Sequence, residues 1–192
     1  MPATCSKAAF KGLAKNYLPV WGLLFVCTQA FGVEPHVVVE TRQGILNIEA
    51  QINAPRPLDE VRRMMTDYEQ IPNYMPNVDS SRVVGRTDSS LWVHQVFKTR
   101  LILPWTFRFT HEFVEESPTV LRFKMLEGNL SSFTGVWRFT PNKDGTQIAY
   151  TAAVGHGIRL PGFLMRYIAK RQVNKMMPAL VEELERRHKA SQ

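Results

Sequence analysis

From Gly44 onward apolar and polar residues alternate: Leu46, Ile48, Ala50 and Ile52 against Asn47, Glu49, Gln51 and Asn53. A period of two predicts a strand with one buried face, and Ala54-Pro-Arg-Pro57 ends it. The spacing then lengthens. Leu58, Val61, Met64 and Met65 predict a short helix reaching Thr66, and residues 67–76 a second helical stretch interrupted by Pro72. Segments near 79–87, 90–103, 105–116, 119–128, 132–141 and 146–156 are rich in Val, Phe, Trp, Thr and Tyr, the composition of strands. Short breakers such as Thr87-Asp-Ser-Ser90 and Asn142-Lys-Asp-Gly145 separate them, so these six pair as an antiparallel meander. Pro161 to Lys189 predicts one long helix. Its apolar stripe takes in Phe163, Leu164, Tyr167, Ile168, Val173, Met176, Met177, Leu180, Val181 and Leu184, and Glu182–Arg187 forms its solvated end. Pro178 calls for a bend or a restart of that helix. Val33 to Gln43 carries no predicted element and serves as a lead-in.

The order is strand, two short helices, six strands, long helix. It defines an α+β protein in which a curved, seven-stranded antiparallel sheet wraps the long C-terminal helix. A sheet of that size with one amphipathic stripe available buries its inner face by curling around it. Residues 44–189 make one domain, with no internal repeat and no linker.

The first 32 residues read differently. Lys7, Lys11 and Lys15 precede an apolar run from Leu18 to Ala30, and small residues follow at cleavage spacing, as Ala30-Phe-Gly32 or Thr28-Gln-Ala30. The run is shorter than the roughly 20 residues of a spanning helix and contains Pro19. Residues 1–32 are therefore expected to be a signal peptide, with an uncleaved anchor as the alternative. Export to the periplasm or extracellular space follows from it. The bulky Val26 before Cys27 argues against lipidation there. The two cysteines, Cys5 and Cys27, both lie in this segment, so the domain is held by its core alone and offers no thiol chemistry.

The net charge of +7, from 24 Lys and Arg against 17 Asp and Glu, is partly a property of that segment. Without Lys7, Lys11 and Lys15 the balance is 21 against 17, or +4. There is no dense basic run with interleaved aromatics, so no nucleic-acid partner is expected. Transient attraction to an anionic membrane surface fits the balance as well. Arg100, Arg108, Arg122 and Arg138 recur opposite the aromatic strand positions, and alternation places them on the watered face. Arg166, Lys170, Arg171 and Lys175 fall on the outer side of the long helix.

The local residues resemble the START-like helix-grip superfamily, with its polyketide cyclase/dehydrase and coenzyme-Q-binding branches. The resemblance is carried by Asn53-Ala-Pro55 leading into Leu58-Asp-Glu-Val61, by Asp67-Tyr68-Glu69-Gln70-Ile71-Pro72 with Tyr74, and by Glu127-Gly128-Asn129-Leu130 with Phe133. Gly135-Val-Trp137-Arg-Phe139 and Asp144-Gly145-Thr146 before Tyr150 complete it. It spans about Ile45 to Arg187 and specifies fold better than activity. It implies a cavity between sheet and helix that holds a hydrophobic small molecule: a lipid, an isoprenoid quinone or a polyketide-like compound.

Under that resemblance the ligand-binding residues are Tyr68, Ile71, Tyr74, Phe109, His111, Phe113, Met125, Phe133, Trp137, Phe139, Tyr150, Phe163 and Tyr167. Each taken singly also serves as a plain core residue. Ligand access is expected between the short helices and the segment of Ile158, Leu160 and Phe163. A START-like aromatase/cyclase or dehydratase is the enzymatic alternative, with Glu127, Tyr150 and His111 as its catalytic candidates. A protein-interaction module is the third class. No histidine pair has metal-ligand spacing and no Gly-rich phosphate loop or G-x-S-x-G elbow occurs, so neither metal nor cofactor is expected.

Overall fold

In the computed structural model, which describes residues 34–100, 104–155, 157 and 161–192, two β-branched runs meet in a tight hairpin near the start. Strand β1 (His36–Arg42) pairs antiparallel with β2 (Ile45–Ala54) from Arg42↔Ile45 to His36↔Gln51. Gln43 and Gly44 join them with φ of 51° and 78°, the pair of positive values that a two-residue hairpin turn requires. The lead-in expected over Val33–Gln43 is thus largely an eighth strand. Its Val37, Val39 and Thr41 face inward and its alternate residues face water.

The sheet order is β1-β2-β8-β7-β6-β5-β4-β3, antiparallel throughout. The further strands are β3 (Val78–Arg86), β4 (Ser90–Arg100), β5 (Pro104–Ser117), β6 (Val120–Gly128), β7 (Ser132–Asn142) and β8 (Gly145–Gly155). Only β8 returns out of sequence, to lie beside β2. Between β2 and β3 stand helix α1 (Leu58–Met65), a 3-10 turn (Tyr68–Gln70) and helix α2 (Ile71–Tyr74). Asp59 and Glu60 occupy the first turn of α1 and Arg62 and Arg63 the last, the arrangement that complements a helix dipole.

Helix α3 (Gly162–Ala190) packs over β1 and β2 and continues through Pro178 without a restart. Its Val173, Met177, Leu180 and Leu184 join one core with the inward residues of β2, β4, β5, β6, β7 and β8 and with Val61, Met64 and Met65 of α1. The end expected to be solvated is only partly so. Glu183 is 5% exposed and is held by Arg186 and Arg187 at 2.7 Å each. Arg187 also bonds Asp67 at 2.9 Å and lies 5.8 Å from the centre of the Tyr74 ring. This cluster fastens the short helical segment to α3. The expected export segment, His156, Ile158 and Leu160 lie outside the described residues.

Candidate functional site

The inner face of β5 presents Phe107, Phe109, His111 and Phe113 in turn, as period two dictates. His111 is 2% exposed and boxed by aromatic rings, with centroids at 4.6 Å (Phe109), 4.8 Å (Phe133), 5.1 Å (Phe123) and 5.8 Å (Phe113). Among the described residues neither of its ring nitrogens finds a hydrogen-bond partner. Burial pushes its pKa down from 6.5 to about 3, so the imidazole is neutral. The Tyr68 hydroxyl, on a residue 3% exposed, is likewise without a partner among the described residues. Burial pushes the phenols of Tyr68, Tyr74 and Tyr150 above their ordinary range, and they too stay neutral.

These groups border a chamber of about 120 Å³ between the sheet and the short helical segment. Tyr68, Ile71, Tyr74 and Met75 form its helical wall, with Phe109, His111, Phe113, Phe133, Trp137 and Tyr150 on the sheet side. The Trp137 indole lies 4.3 Å from the Tyr150 ring. Among the described residues no charged side chain lines the chamber.

A larger cavity of about 360 Å³ adjoins it, between α3 and the inner face. Phe97, Phe109, Phe133, Tyr150 and Met176 border both spaces. On α3, Met165, Ile168, Ala169, Gln172, Val173 and Met176 form the wall of the larger space, a set spaced by three and four residues. The exposed residues of its described lining are polar. Asn77, Arg171 and Lys175 are exposed there, and Gln172 bonds the Pro76 carbonyl at 2.9 Å.

The candidates inferred from sequence divide into three groups. Tyr68, Ile71, Tyr74, Phe109, His111, Phe113, Phe133, Trp137 and Tyr150 line one or both spaces. Met125, paired with His111, and Phe139 lie on the same inner face but border neither. Phe163 and Tyr167 point away, at 68% and 54% exposed. At about 100° per residue they sit roughly 160° around α3 from Met165. Phe163 therefore borders neither space, and Ile158 and Leu160, the other residues of the expected access route on that side, lie outside the described residues.

Glu127 is also displaced. It is exposed and accepts a hydrogen bond from the Thr110 hydroxyl at 3.0 Å, next to His94 at 3.2 Å from the same oxygen. That network is on the outer face, so Glu127 and Tyr150 do not converge on one substrate. The sequence reading missed Phe97 and Ala169. For Ala169, the 165-169-172-176 spacing was the available signal.

An antiparallel sheet gripping a long C-terminal helix, with a cavity lined by apolar side chains between them, defines a START-like helix-grip domain. The chain belongs to the family of polyketide cyclase/dehydrase and lipid transport proteins, whose model matches residues 46–189. A protein of Thermus thermophilus is 25% identical, over 76% of this chain and 98% of its own, with a TM-score of 0.62. The STAR-related lipid transfer protein of Xanthomonas axonopodis is 15% identical, over 78% and 98%, with a TM-score of 0.63. The Zhui aromatase/cyclase of Streptomyces sp. R1128 is 16% identical, over 77% and 98%, with a TM-score of 0.65. At the lower identities the likeness speaks for the fold. None of the curated proteins matches this chain.

Proposed function

We propose that this protein is an exported carrier that holds a hydrophobic small molecule between its sheet and α3. The observation that carries the reading is the pair of adjoining spaces, about 360 and 120 Å³. The larger falls within the range of about 300–1,000 Å³ usual for small-molecule sites. Its apolar walls suit a lipid, an isoprenoid quinone or a polyketide-like compound. The flexible thioethers of Met165 and Met176 suit a ligand of variable shape.

Carriage is favoured over turnover by the protonation states of the chamber. A histidine held near pKa 3 is a weak base at neutral pH, and phenols raised by burial are weak acids. Glu127, the carboxylate of the cyclase alternative, lies on the other face of the sheet. Export rests on the basic, apolar and small-residue order of residues 1–32.

Contact with an anionic membrane surface belongs to the same reading. Phe163, Arg166, Tyr167, Lys170 and Arg171 are exposed on one side of α3, and no acid occurs from Gly162 to Val181. Ligand exchange would then take place where the protein meets its lipid source.

Native mass spectrometry of the protein purified from membranes tests the carrier reading. The expected spectrum contains an added mass that organic extraction removes. Ala169→Trp, which fills the larger cavity, is expected to lose it while remaining folded. A wild-type protein recovered empty from membranes overturns the reading.

A further inference from the structure

The polar residues that line the larger cavity are Asn77, Thr99, Tyr150, Arg171, Gln172 and Lys175. Four of them are uncharged. The Asn77 amide donates to Gln172, which donates in turn to the Pro76 carbonyl, and Thr99 and Tyr150 are half-buried and buried. The two charged members are both cations, and both are exposed. Arg171 and Lys175 stand four residues apart on α3, the spacing at which side chains meet and like charges repel. Every Asp and Glu of the chain lies among the described residues, and none forms an ion pair with either cation. Resting on the carrier reading, we infer that the ligand is an amphiphile with an oxyanion head, a carboxylate or a phosphate, held by Arg171 and Lys175 while its apolar part fills the larger cavity.

Apolar walls grip a tail and say little about its head, so the charges decide the class. A guanidinium presents a planar fork to two oxygens of a carboxylate or phosphate, and an ammonium adds a point charge. An anion between them cancels their mutual repulsion. Because both cations are exposed, the head stays hydrated and only the tail leaves water, which avoids the desolvation cost of a buried ion pair. Arg171 gives up little to turn toward a ligand, since its bond to the exposed Tyr167 hydroxyl is long, at 3.3 Å. A cationic head would meet two like charges and, among the described residues, no acid at the cavity. The competing account is a solvated helix face, whose charges attract any anion from a distance and touch no head group.

Decanoate and 1-decanol share a tail and differ in the head. Their dissociation constants are measured at pH 7 by displacement of the fluorescent probe N-phenyl-1-naphthylamine, at physiological salt, where charges beyond about 8 Å are largely screened. The ratio of the two affinities is compared between wild type, Arg171→Gln/Lys175→Gln and Lys143→Gln/Lys189→Gln. The last removes two charges from exposed positions that do not line the cavity. Arg171→Gln/Lys175→Gln is expected to lower the preference for decanoate about threefold or more while decanol affinity holds. The control is expected to keep the wild-type preference, and Ala169→Trp to abolish binding of both molecules. An unchanged preference in Arg171→Gln/Lys175→Gln, or an equal fall in the control, overturns the inference and leaves the carrier reading standing. Undiminished binding to Ala169→Trp places the molecules outside the cavity and overturns it too. If neither molecule binds wild type, the inference and the carrier reading both fall.

Discussion

Gly135 on β7 pairs directly with Phe123 on β6, and the Phe123 ring fills the space that a side chain at residue 135 would need. On its other side Gly135 pairs with Ala152 of β8, so two small residues in one row let the ring lie flat on the sheet beneath His111. Gly135→Ala forces the ring or the strand to move. Overpacking of this kind costs about 1–3 kcal/mol. A lower urea midpoint with an unchanged slope is the expected result, and an unaltered midpoint would show that Phe123 relocates freely.

The chain reports acid through His111. In the unfolded chain this histidine takes a proton below its ordinary pKa of 6.5, whereas in the fold it resists until about pH 3. Above pH 6.5 it is neutral in both states and contributes nothing to pH dependence. Falling pH between 6.5 and 3 therefore favours unfolding, by up to about 1.4 kcal/mol per pH unit. Glu183, whose pKa is lowered chiefly by its hydrogen bond from Arg186, adds a loss of the same sign in the carboxylate range. Denaturant titrations at pH 7 and pH 5 are expected to differ less for His111→Phe than for wild type. His111→Phe is also expected to be the more stable protein at pH 7 without ligand, because it removes an unsatisfied buried group.

Arg187 meets Glu183, Asp67 and the Tyr74 ring at once. Replacing it with Met keeps the aliphatic stem but leaves Glu183 dependent on Arg186 alone. A loss of about 1.5–3 kcal/mol is expected, the range for a lost hydrogen bond to a charged group, because Glu183 keeps Arg186. A double-mutant cycle with Glu183→Gln is expected to recover part of it. Full additivity in that cycle would refute the coupling.

Vesicle binding checks the role given to the exposed face of α3. Sedimentation with vesicles of anionic phosphatidylglycerol is expected to deplete the protein from solution, and pure phosphatidylcholine to deplete it little. The Phe163→Ser/Tyr167→Ser double variant is expected to weaken the anionic binding severalfold, roughly 1–2 kcal/mol of lost apolar burial. Equal sedimentation with both lipids would remove membrane contact from the reading.

The meander, the short helices and the long helix were legible because their hydrophobic periods are unbroken and their breakers explicit. Three departures have local causes. Strand β1 was missed because Gln43-Gly44 lacks the Asn or Asp that marks a two-residue hairpin, although both residues adopt positive φ. Strict alternation from Leu121, Phe123 and Met125 would turn Glu127 inward, as its candidacy required. In the sheet Thr110 pairs with Glu127 while His111 pairs with Met125, so Leu126 is an extra residue that turns Glu127 outward. Phe163 and Tyr167 joined the apolar stripe by composition, although the helical angle sets them on the far side. The isolation of His111 left no trace in sequence, because it depends on four rings drawn from three strands, β5, β6 and β7.

Pro178 has no N–H to give to the Asn174 carbonyl, and it divides α3 at a point where the helix changes its attachments. Beyond it, Glu185 accepts from Arg56 at 3.0 and 2.6 Å, and Arg187, held by Glu183, donates to Asp67 of the short helical segment. Before it, the polar ties described run from Gln172 to Pro76 and Asn77, and the rest is apolar contact beside a void. The helix is therefore clamped by ion pairs beyond the proline, and among the described residues its N-terminal arm has none. Amide hydrogen exchange is expected to be faster across Leu164–Asn174 than across Ala179–Arg187. Tilting the N-terminal arm would widen the larger cavity while the clamp keeps the inner chamber's helical wall in register.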